Sequence, residues 1–451
     1  MGMYRAESML LESEGVQQLF LESALGVTPQ GLVENPSFFR GFAVRPDVVS
    51  SALLAVADVA ASRYFDAAFK LSDVLDPVMT AGGDRLRAES FSACNGVYAR
   101  LDLASSSLDG GEIGFGTTNV DINGPLRSML ANVSRNELMH LEVGRDRLVV
   151  STPGESHVER QVELPDRWIR GFAETPSIAA GMVHLATLAG SAISQFLASL
   201  PAAQPGRTVF LAPALRGLRA EVRQKPSTVT LAGTGRLAAA KRVARFASKL
   251  EIFRHDSGAS AWVFRLPGAD FTLLLSPAPY RGFSGEGGIL EALAVPGAKE
   301  AGAAVQEFLQ WQPVISTASL GGSAGLPAQR VTQGLACLGT SGKVGFDLLE
   351  NAYFHRELPL EPDRIVKDYP RLRAARDIVA KKGGVEWLGD RWQVLAGAGT
   401  YVHHVIRIDG VYQCTCAWWA DHRGSRGPCK HVLAVQLFRM EPAQDPGPAN
   451  S

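Results

Sequence analysis

Three thiols and one imidazole stand at close spacing near the end of this chain: Cys414-x-Cys416, twelve intervening residues, then Cys429-x-His431. Together they form a complete tetrahedral ligand set for zinc. Four protein donors leave no open coordination position, so one structural zinc is expected, not a metal that activates water. Five cysteines in 451 residues are too few for a disulfide framework, and the isolated Cys94 and Cys337 read as small buried hydrophobes. His403, His404 and His422 compete as ligands by residue type, but the spacing of the other four already closes the set. The upstream pair is expected at the end of a strand, because Trp392 to Ala396 and His404 to Ile408 are apolar-rich and Asp409-Gly410 turns the chain into Tyr412. Pro428 opens a helix that carries His431 and buries Val432, Leu433, Val435, Leu437 and Phe438. Metal then ties together a strand and a helix too short to build a core alone.

This pattern resembles the SWIM-type zinc finger, whose signature is Cys-x-Cys, a variable spacer and Cys-x-His. Cys414, Cys416, Cys429 and His431 match it position by position. Thr415, Trp418, Trp419 and the run Cys429-Lys430-His431-Val432-Leu433-Ala434 are similar to the family's flanking residues. The resemblance covers roughly residues 385 to 440, about an eighth of the chain. Elsewhere the order of segments looks like that of large bacterial SWIM-containing proteins, with no equally diagnostic motif. The resemblance implies a finger that binds DNA or proteins. In bacteria such fingers often accompany ATPases, including MoxR-type AAA+ proteins, and von Willebrand A-type proteins.

The chain is long enough for several domains, and 46% hydrophobic with 20% charged residues is the composition of a packed globular protein. An α+β, multi-domain architecture is expected: a helical lead-in over 1–30, an α+β body over 31–284, a helical, winged-helix-like region over 285–383, the finger over 384–440 and a disordered tail over 441–451. The body carries a strand–helix–hairpin pattern from Asn119 to Thr152, with a weaker echo from Leu71 to Leu103, which opens the question of internal duplication. Arg-Gly-Phe recurs at 40–42, 170–172 and 281–283, marking either equivalent corners of related units or a recurrent glycine turn. In the middle region three helices (Ile289 to Val295, Ala303 to Gln310, Pro327 to Leu338) precede a hairpin through Lys343 to Asp347 and Tyr353 to His355, the element order of a winged helix. Its third helix, with Gln329, Arg330, Thr332 and Gln333, would face DNA; winged helices also serve as protein adaptors. A charged helix from Tyr369 to Lys382 follows.

Glu7, Glu12 and Glu14 interrupt the apolar region that a signal peptide would need, so a cytoplasmic protein is expected. The uncharged stretch from Thr175 to Gly206 is read as a soluble helix capped by Thr175, started by Pro176 and ended by Pro201, and no membrane association is expected. The 45 basic and 45 acidic residues cancel, so any attraction to a polyanion must be local. Between Arg207 and Arg254 eleven Arg or Lys meet two Glu, and a helix over Arg236 to Leu250 would align Arg242, Arg245 and Lys249. With Lys430 beside the metal ligands, these form a candidate basic surface whose alternative is an ordinary solvated face.

No enzymatic activity is expected, and neither catalytic nor cofactor-binding residues are assigned beyond the zinc ligands. Gly339-Thr340-Ser341-Gly342-Lys343 approaches a phosphate loop, but Val344 stands where magnesium needs a hydroxyl and Cys337 where the first glycine belongs. Gly282-Phe283-Ser284-Gly285-Glu286 fails as a nucleophile elbow at its last residue. The favoured function is binding of a protein partner through the finger, with nucleic acid as the alternative partner and a small-molecule substrate not expected. The rival reading is an enzyme whose active site lies unrecognised in the N-terminal body.

Overall fold

The computed structural model describes residues 37–64, 77–162, 164–201, 207–215, 217–278, 280, 282–283, 297–358, 370–396, 401–408, 410–424 and 427–439, with 9–13, 16–20, 26–28 and 31–33 as strand backbone. The fold is α+β. Where a helical lead-in is expected, β1 (Met9–Ser13) pairs with β2 (Val16–Phe20) and β3 (Gly26–Thr28) with β4 (Gly31–Val33), both antiparallel.

The body is built from a recurring order of elements. First come β5 (Ser37–Ala43), α1 (Pro46–Ala61), β6 (Val78–Gly82), β7 (Arg85–Phe91) and β8 (Val97–Ala104), with β9 (Leu108–Gly110) as a short connection. Next are β10 (Phe115–Asn119), α2 (Gly124–Asn132), β11 (His140–Gly144), β12 (Arg147–Ser151) and β13 (Ser156–Arg160). After α3 (Asp166–Ala180) the order returns as β14 (Val183–Ala189), α4 (Ser191–Ser199), β15 (Thr208–Ala214) and β16 (Gly217–Glu221). The last unit is β17 (Val229–Ala232), two 3-10 segments (Thr234–Arg242 and Ala244–Phe246), β18 (Lys249–Arg254), β19 (Ser260–Leu266) and β20 (Ala269–Leu275).

Units exchange their first strands. β10 pairs with β6 while β5 pairs with β11; β14 pairs with β18 while β17 pairs with β15. β8 then joins β20 antiparallel, giving one eight-stranded sheet in the order β10-β6-β7-β8-β20-β19-β18-β14. One apolar core runs from Val48, Leu53 and Val56 of α1 through Leu101, Leu211, Leu237 and Phe271, so all of these units share it.

The tripeptide does not mark equivalent corners. Arg40 to Phe42 lies in β5 and Arg170 to Phe172 in α3, while Arg281 falls outside the described residues, as do 71–76 of the upstream echo. The long helix expected from Thr175 is also absent: Pro176 sits inside α3, which ends at Ala180, and the chain returns as β14 before α4 begins. An open edge on β18 offers hydrogen bonds that the apolar 183–189 stretch takes up in place of helix. Among the described residues no helix is long and apolar enough to cross a membrane.

In the middle region α5 (Ala298–Gln306), α6 (Thr317–Ala324) and α7 (Ala328–Thr340) precede the hairpin of β21 (Val344–Asp347) and β22 (Ala352–His355). Of the three helices expected here, 289–295 lies outside the described residues, the second appears as α5 and the third as α7, while α6 was not expected. The hairpin does not project as a wing. Val344, Asp347, Tyr353, Phe354 and His355 are buried, and β21 packs on α3.

A buried charge network seats it on the large sheet. Arg87 and Arg100 bind Asp102 at 2.8 and 2.7 Å, and Arg100 reaches Asp347 of the hairpin at 3.0 Å. Arg356 pairs with Glu89, and the Arg87 guanidinium lies 3.9 Å from the centre of the Phe354 ring. Burial works to raise the Asp347 carboxyl, yet Arg100 and Arg87 hold it below its ordinary range.

The last module contains α8 (Pro370–Val379), β23 (Val385–Trp387), β24 (Trp392–Ala396), β25 (Tyr401–Ile408), β26 (Val411–Cys414), α9 (Ala417–His422) and α10 (Lys430–Phe438). Its strands form a meander, and Leu372, Ala375 and Ile378 of α8 pack in the same core as Val394, Val405, Leu433 and Val435. The tail over 441–451 lies outside the described residues.

Candidate metal centre

Each half of the motif ends one element and begins another. Cys414 closes β26 opposite Val405, and Thr415 fixes the exit: its amide donates to the His404 carbonyl at 3.1 Å and its hydroxyl accepts from the His404 amide at 3.0 Å. Cys416 is the N-cap of α9. That helix stops at Arg423 and Gly424, both in the left-handed region (φ 43° and 81°), which turns the chain back towards Pro428. Cys429 is the N-cap of α10, where its Sγ accepts from the Val432 amide at 3.4 Å, and His431 falls in the first turn.

The four donor atoms lie within 4.8 Å of one another, and all four residues are buried. His431 Nδ1 is 3.8 Å from Cys414 Sγ and 4.0 Å from Cys429 Sγ, so Nδ1 is the donor that faces the thiols. A tetrahedral zinc with bonds of about 2.3 Å to sulfur and about 2.0 Å to nitrogen would set such S···N separations near 3.6 Å. The geometry fits a single tetrahedral ion.

The electrostatics favour a cation as well. Hydrogen bonds from Cys414 and Cys429 hold the Cys416 thiol well below its ordinary range, and the same bond to Cys416 pushes Cys414 up. Cys416 sits at the N-terminal end of α9, where backbone N–H groups favour negative charge. A divalent ion would allow all three to ionise and would release protons as it binds.

None of the competing histidines belongs to the cluster. His403 packs its ring 4.4 Å from that of His431, centre to centre, and burial lowers its basicity. His404 contributes backbone bonds to the Thr415 corner, and His422 meets Trp418 edge-on at 4.4 Å. Arg371 of α8 donates to the Pro428 carbonyl at 2.8 Å and lies over the Trp418 ring, so α8 braces the metal loop. Sequence reasoning missed that brace, because Arg371 and Pro428 are distant along the chain.

The helix expected to align the candidate basic surface does not form. Thr234–Arg242 and Ala244–Phe246 are 3-10 segments and Lys249 opens β18, so no single helix aligns the three residues. Arg242 pairs with Asp58, and Arg245 lies over Phe246 and bonds the Ser51 hydroxyl. Lys430, half-buried, belongs to α10 of the metal module. Gly339 to Lys343 leads from the end of α7 into β21, and Lys343 pairs with Glu357 at 2.9 Å. A phosphate loop runs the other way, from a strand into a helix N-terminus. Ser284 of the elbow-like stretch lies outside the described residues.

No family model matches this chain, and no curated protein matches it. Among solved structures, it is similar to Proliferating Cellular Nuclear Antigen from Entamoeba histolytica at 9% identity and a TM-score of 0.36, over 53% of this chain and 99% of that one. It is also similar to a chain of the PCNA2-PCNA3 complex from Sulfolobus tokodaii at 10% identity and a TM-score of 0.40, over 53% of this chain and 100% of that one.

Proposed function

We propose that this chain is a non-enzymatic zinc-binding interaction protein whose C-terminal, SWIM-type finger engages a protein partner, an AAA+ ATPase-associated assembly being the class the resemblance implies. The observation that carries this reading is the closed, buried Cys414, Cys416, Cys429 and His431 set, whose donors suit zinc and leave no position for a substrate. Zinc joins β26 to α9 and α10 and so stiffens a module whose own core is small. The stiffened sheet exposes Tyr401, Val402, Ile408 and Val411. Large apolar side chains gathered on one small module suit contact with a protein better than with a phosphate backbone.

Fluorescence anisotropy with mixed-sequence DNA, at physiological salt and across a salt series, tests the choice of partner. Weak binding that the double substitution Ile408→Asp and Val411→Asp leaves unaltered is expected. Sub-micromolar DNA binding, lost when Lys430 is replaced, would make nucleic acid the partner.

A further inference from the structure

A cavity of about 490 Å³ opens between α4 and the two 3-10 segments, well away from the metal module in sequence and in the range of small-ligand sites. Its shape follows from helix type. A 3-10 helix has three residues per turn, so positions three apart share a file. Gly235, Ala238 and Lys241 form that file in the first segment, Ala244 opens the second, and all four line the cavity. Small side chains at three of the positions leave the space open, and the lysine supplies charge at its rim. Leu200 and Pro201, both half-buried, form apolar wall. Arg245 adds a second cation at an exposed position, and among the described residues no acidic side chain lines the cavity. Arg242, one residue beyond Lys241, is anchored on Asp58 together with Arg127, which holds the segment against α1. Among the described residues Lys241 has neither ion pair nor hydrogen bond, so its ammonium is available to a ligand.

We propose that this cavity binds an amphiphilic carboxylate, with the apolar chain against Leu200 and Pro201 and the carboxylate at Lys241 and Arg245. The apolar wall excludes a small inorganic anion as the preferred occupant, and the unpaired Lys241 ammonium excludes a neutral hydrocarbon. The site is independent of the zinc centre and of the partner it serves.

Isothermal titration of the full-length protein with octanoate, nonanoate and decanoate, all below micelle formation, tests the assignment. Saturable one-to-one binding is expected, with affinity rising about fourfold per methylene, the factor for a methylene leaving water. Decanol should bind about tenfold more weakly than decanoate, and Lys241→Gln should weaken decanoate by a similar factor. Ala238→Trp, at an exposed position of the file, should abolish binding with circular dichroism and thermal unfolding unchanged. If that variant does not fold, the chain-length series and Lys241→Gln decide. Absence of decanoate binding, affinity that does not change with chain length, or undiminished binding in folded Ala238→Trp would overturn the proposal. So would binding of single-stranded oligodeoxythymidine, lost in Lys241→Gln, by a protein that ignores decanoate.

Discussion

Asp270 feels opposing influences on β20. Burial pushes its carboxyl up to about 6, Arg265 opposes that rise from 2.7 Å, and Asp102, directly across the β8–β20 pair, adds to it. A carboxyl raised in the folded state binds more protons than in the unfolded chain. Its contribution is therefore fully present below about pH 4 and is lost as pH rises through about 6. From 3.8 to about 6, at about 1.4 kcal/mol per pH unit, the loss is at most about 3 kcal/mol. Asp270→Asn should flatten the fall in stability between pH 4 and pH 7 measured by urea unfolding. His403 supplies a second residue-level prediction: because it packs on the ligand imidazole without donating to the cluster, His403→Ala should retain full metal content by elemental analysis. The metal ligands are legible in the sequence since their spacing alone brings the donors to two helix starts. Arg87, Glu89, Arg100 and Asp102 are not, because charges alternating along a strand read as a solvated face, and their cover arrives about 250 residues later.

At the scale of elements, the β21–β22 hairpin is a plug in the body. Asp347→Asn removes a carboxylate from Arg87 and Arg100, leaving Asp102 to balance both. Breaking a buried ionic cluster in this way costs about 3–5 kcal/mol. Loss of that order in urea unfolding is expected, with earlier proteolytic cleavage between α5 and β22. A change under about 1 kcal/mol would mean that water already screens the network. The antiparallel hairpin and the helix before it could be read from local pattern, whereas their burial could not. The same limit explains the misread stretches. Residues 183–189 have apolar spacing compatible with a helix, and only the free edge of β18 makes them a strand. Gly233, at φ 84°, and the alanines that follow lead into a 3-10 segment where apolar periodicity predicts an α-helix.

For the whole molecule, exchange of first strands means that no unit of the body closes its sheet alone, and the β8–β20 pair links the two halves through the eight-stranded sheet. Residues 37–275 should accordingly unfold in a single transition, while the metal module responds separately to chelators. The α+β class was legible from alternating elements. The pairing across units was not, since strand exchange joins segments that share no local signal. The most direct measurement is the metal content of the full-length protein, purified without added metal, beside that of Cys429→Ser. One zinc per chain is predicted, falling to background in the variant while the transition of the body persists. No zinc in the wild type, a different metal at one per chain, or undiminished zinc in Cys429→Ser would contradict it.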